Sequence, residues 1–102
     1  MYYGNTKHLL ESVVRWLGTD SSHDDAEWQA QTDLAQACLG EMMEMAKPTV
    51  HPSKGTTARY VHRPIVDRLN RALPHGRSML TAMRDHDRTT ALAYGETTLH
   101  RL

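Results

Sequence analysis

The stretch from Asp25 to Lys47, "DAEWQAQTDLAQACLGEMMEMAK", has no proline and one glycine, and Pro48 stops it. On a helical wheel Trp28, Leu34, Ala35, Cys38, Leu39, Met42, Met43, Met45 and Ala46 share one broad arc. Asp33, Gln36, Gly40, Glu41 and Glu44 fall opposite. An amphipathic helix of this kind gains most of its stability by packing its apolar arc against other elements. The rest of the chain has to supply that cover.

It supplies further helices. In "NTKHLLESVVRWLG" Leu10, Val13, Val14 and Leu17 follow i, i+3, i+4, i+7 spacing, with Leu9 and Trp16 flanking the stripe. Asn5 or Thr6 is placed to cap this first helix and Gly18 to end it. "TDSSHDD" reads as a connector in which Ser22 and Asp25 form a capping box for the second helix. "RYVHRPIVDRLNRAL" predicts a third helix with Ile65, Val66, Leu69, Ala72 and Leu73 inward, broken by Pro74 and Gly76. "RSMLTAMRDHDRTTALAY" predicts a fourth, ended by Gly95. "KPTVHPSKGTTA" is the clearest loop, and "TTARYVHR" carries only local strand character. The expectation is an all-α domain over 1–102, a small irregular bundle of about four helices. It divides into an acidic half 1–47, a loop 48–58 and a basic half 59–102.

The interior must be built without phenylalanine, from Leu, Met, Ala, Val and two tryptophans. Cys38 is the only cysteine, so no internal disulfide is available. The first twenty residues lack the apolar run of a signal peptide and no segment has the length of a membrane span. These features predict a cytoplasmic protein that does not engage a membrane.

Charge divides the chain. Residues 1–50 carry three Lys/Arg against eight Asp/Glu, and residues 51–102 carry nine against four, so the halves are net −5 and +5. Arginine outnumbers lysine eight to one in the second half, and guanidinium groups suit bidentate recognition of carboxylate or phosphate. On one continuous helix Arg77, Arg84 and Arg88 would lie within roughly 40° of one another, opposite Met79, Met83 and Tyr94. Arg59, Arg63, Arg68 and Arg71 lie away from the apolar face of the third helix, where Asp67 is spaced to pair with Arg63 or Arg71. Arg59, Arg63, Arg71, Arg77, Arg84 and Arg88 are therefore the candidate partner-binding residues. The competing reading makes them solvated, or paired within the chain to Asp33, Glu41 and Glu44.

Two binding modes follow. One is a protein partner with an acidic surface; the other is nucleic acid, with the last two helices as a helix-turn-helix around "PHG". "RDHDRTT" resembles in part the Arg-Asp-His-Thr-Thr string in the DNA-binding domain of bacterial replication initiators, but two residues interrupt it and it is not a family signature.

No catalytic or cofactor signature is complete. The histidines form no HxxxH or HExxH pair, which argues against metal. His62 and His86 read as core or boundary residues. Cys38 lies on an apolar arc, and "HPSKGTT" lacks the spacing of a phosphate-binding loop. Met42, Met43 and Met45 suit a core, or a face shared in a homodimer. The expectation is a small non-catalytic binding protein, not an enzyme and without cofactor, acting as regulator, inhibitor or adaptor on a protein partner. The alternative is a nucleic-acid-binding regulator.

Overall fold

The apolar stripes read above do form helices. The computed structural model describes residues 3–19, 23–46 and 63–102, and these hold α1 (Tyr3–Gly18), α2 (Asp25–Ala46), α3 (Arg63–Arg84) and α4 (Arg88–Arg101). The predicted loop 48–58 and the "TTARYVH" segment lie outside the described residues. Each helix packs on two others, in the cycle α1–α2–α3–α4–α1, and among the described residues the backbones of the diagonal pairs do not approach closely. The end of α1 approaches the start of α2 through Trp16 and Trp28, and the start of α2 approaches the end of α3 through Trp28 and His86. Neighbours therefore run antiparallel, and the described residues form an up-down-up-down all-α bundle.

The core is the seam common to all four helices. Leu10, Val13, Leu17, Ala35, Met42, Leu69, Met79, Met83 and Ala91 are fully buried, and Leu39 and Met45 nearly so. Met43 departs from the wheel: it is 45% exposed, so the methionine arc is narrower than predicted and is largely consumed by the bundle's own core.

The helix ends depart from the sequence reading at three places. Asn5 and Thr6 do not cap α1, which begins at Tyr3 and buries Thr6. The cap of α2 is Asp24, whose carboxylate accepts the Glu27 backbone N–H at 2.7 Å. Ser22, the predicted cap, lies outside the described residues.

The third departure is larger. Pro74 and Gly76 do not end α3, and Gly95 does not end α4. Pro74 and Asn70 both lie on the exposed face, where water can take the Asn70 carbonyl that the proline leaves without an amide partner. Gly76 is buried, and a Cβ there would come within 2.4 Å of the Leu39 side chain. At Gly95 a Cβ would meet Val14 at 2.8 Å and Met79 at 3.1 Å. These glycines permit close helix approach inside the bundle. The actual break is "DHD". His86 takes a φ of 55°. Its N–H donates to the Met83 carbonyl at 3.0 Å and that of Asp87 to the Ala82 carbonyl at 2.9 Å, the paired bonds of a Schellman closure. Asp87 then caps α4 by accepting the Thr90 N–H at 3.2 Å. The tail "ETTLHRL" thus belongs to α4 except for its last residue.

No helix among the described residues is long and apolar enough to cross a membrane.

Candidate functional site

The turn at His86 redistributes the arginines. Arg77 and Arg84 are exposed on α3, but Arg88 opens α4 and is half-buried. Its Nε donates to the Leu17 carbonyl at 3.1 Å, so it ties the end of α1 to the start of α4. The expected three-arginine stripe therefore loses Arg88, because the continuous helix that would have aligned it is interrupted at Asp85–Asp87. Arg63 begins α3, and Arg59 lies outside the described residues.

A different arrangement replaces the stripe. The outer face of α3 is bordered on both margins by arginine. Arg77 and Arg84 lie within roughly 20° of each other on the side nearer α2, and Arg68 and Arg71 within roughly 60° on the side nearer α4. From Arg68 to Arg84 α3 contains no Asp or Glu. Pro74 and Thr81 occupy the exposed strip between the margins. Arg84 Nη2 donates to Gln36 Oε1 on α2 at 3.4 Å. Asp67 does not give Arg71 its carboxylate; Arg71 Nε donates to the Asp67 backbone carbonyl at 3.3 Å.

The helix-turn-helix reading fails on its turn, since "PHG" lies inside α3. With α4 folded back along α3, the pair is an antiparallel αα-hairpin within the bundle. Residues fifteen positions either side of His86, Arg71 and Arg101, then come to the same place. They line a cleft of about 360 Å³ together with Arg68, His100 and Leu102. His100 and Arg101 were not among the candidates; placing the turn at "DHD" would have found them.

The opposite end of the bundle holds four rings in contact. Trp16 stacks on His23 with centroids 3.9 Å apart, Trp28 meets Trp16 edge-on at 4.9 Å, and His86 lies parallel to Trp28 at 5.0 Å. His23 Nδ1 pairs with Glu27 Oε2 at 3.2 Å, and His86 Nδ1 lies 3.8 Å from Asp25 Oδ1. His86 is thus an exposed turn residue stacked on a tryptophan, where its wheel position predicts a core or boundary residue; His62 lies outside the described residues. A groove of about 210 Å³ between α2 and α3 opens beside this stack, lined in part by Asp33, Gln36 and Arg84.

Cys38 is buried, and its Sγ donates to the Thr6 carbonyl at 3.3 Å. Burial, with Glu41 adding to it, pushes the thiol up to about 11. A thiol so placed is not an activated nucleophile at neutral pH. Among the described residues no three His, Cys, Asp or Glu side chains are grouped to hold a metal ion.

No family model, curated protein or solved structure matches this chain.

Proposed function

We propose that this chain is a small non-catalytic binding protein, a regulator, inhibitor or adaptor, that docks an acidic surface of a protein partner along α3. The observation that supports it is the outer face of α3: four arginines between Arg68 and Arg84, with no carboxylate among those seventeen residues. That span covers roughly 24 Å of helix, long enough to meet several acidic groups on a partner. Exposed arginines contribute little to folding, so their accumulation on one face fits recognition better than stability.

The test is charge reversal. Arg77→Glu with Arg84→Glu is expected to change stability by less than about 1 kcal/mol. Opposing an acidic partner with like charge should weaken binding on the order of 100-fold. Partner capture with and without nuclease separates the two partner classes. Protein recovered equally in both supports the proposal. A partner lost on nuclease treatment, with a salt slope flattened by about one for each arginine removed, assigns the face to nucleic acid instead.

A further inference from the structure

We infer that the cleft between the first half of α3 and the last turn of α4 binds a dianionic phosphoryl group. The cleft is lined by Arg68 and Arg71 from one helix and His100, Arg101 and Leu102 from the other, so every lining side chain except that of Leu102 is cationic or able to become so. No carboxylate side chain lines it. Arg68, Arg71 and Arg101 are exposed and line one space, so an anion held there is within reach of three guanidinium groups at once. A phosphoryl dianion offers two charges and three acceptor oxygens to share among them, more than a carboxylate or a halide can.

The helix ends account for only part of this cluster. His100 and Arg101 stand in the last turn of α4, where cations complement the helix dipole. Arg68 and Arg71 stand well inside α3 and have no such role. The Nε bond from Arg71 to the Asp67 carbonyl holds the root of that guanidinium and leaves its Nη donors for a ligand. At about 360 Å³ the cleft accommodates a phosphoryl group with atoms attached to it or water around it. This is within the usual range of ligand sites, roughly 300–1,000 Å³.

This inference shares Arg68 and Arg71 with the docking face but adds His100 and Arg101 from α4, and the Arg77–Arg84 margin takes no part in it. The experiment follows the His100 imidazole protons by NMR at fixed ionic strength. Inorganic phosphate is titrated in one arm and O-phospho-L-serine in the other, with chloride as control. Saturable shifts are expected with at least one phosphoryl probe and not with chloride. The tighter probe tells whether the group is taken free or carried on another molecule. Arg71→Ala with Arg101→Ala should weaken binding by about tenfold or more, since charge-assisted bidentate contacts are lost. Arg77→Glu with Arg84→Glu should bind phosphoryl probes at this cleft still. Circular dichroism checks that each variant is folded, and Arg68→Gln alone serves if the double alanine variant is not. Absence of a saturable shift with either probe, or an unchanged titration in the folded cleft variants, overturns the inference.

Discussion

At one end of the bundle the stacked pairs Trp16–His23 and Trp28–His86 meet edge to face, both histidines have a carboxylate neighbour, and Asp24 and Asp87 cap the helices that start there. At the other end Arg68, Arg71, His100 and Arg101 surround an open cleft that no carboxylate side chain lines. The first end engages its aromatic groups and most of its polar groups within the chain, the buried His23 Nε2 being an exception. The second has cations in excess of what its helix ends require. The contrast separates residues that hold the fold from residues available to something outside it.

Substitutions at the two ends should therefore differ most in stability. Trp28 is 6% exposed and touches three other rings, so Trp28→Ala is expected to cost about 3–5 kcal/mol, read by urea denaturation. Arg71→Ala with Arg101→Ala should stay within about 0.5 kcal/mol of the parent in the same assay. A large loss there would mean that the cationic end is structural after all.

A finer cut uses His86. Its left-handed backbone costs about 1 kcal/mol relative to glycine, while its stack on Trp28 returns about 0.5–1.5 kcal/mol. His86→Ala loses the stack and keeps the strain; His86→Gly loses both. The glycine variant should thus be the more stable of the two by about 1 kcal/mol. Equal stabilities would show that the turn relaxes once the ring is gone.

The smallest effect concerns Asp87. Hydrogen bonds from Thr90, side chain first and then backbone, hold its carboxyl below the ordinary carboxylate value. The stability this contributes is present above the unfolded value of about 3.9 and is lost as pH falls through the lower folded value. Asp87→Asn keeps a capping oxygen but cannot titrate. The gap between parent and variant should narrow as pH drops through that window, as followed by denaturation midpoints.

Much of this organisation was legible in the sequence, for a physical reason: Leu10, Val13, Leu17, Leu39 and Leu69 sit at helical spacing because a shared core demands it, and all are buried. The breaks were less legible. Glycine ends helices where φ is positive but also lets two helices touch, and Gly76 and Gly95 do the second. A histidine carries the left-handed turn instead. Misplacing that turn joined Arg88 to a stripe it does not share. It also hid the meeting of Arg71 with Arg101, which depends on how the chain folds back and not on any local spacing.

One contact has a practical side. The Tyr3 hydroxyl donates to the Leu102 carbonyl, and the Leu102 side chain is buried. The first and last helices are thus neighbours, and residues 3 and 102 meet beside the cationic cleft. An affinity tag or fusion partner appended after Leu102 would stand at the mouth of that cleft and compete with anything entering it. Binding measurements are better made with the handle elsewhere.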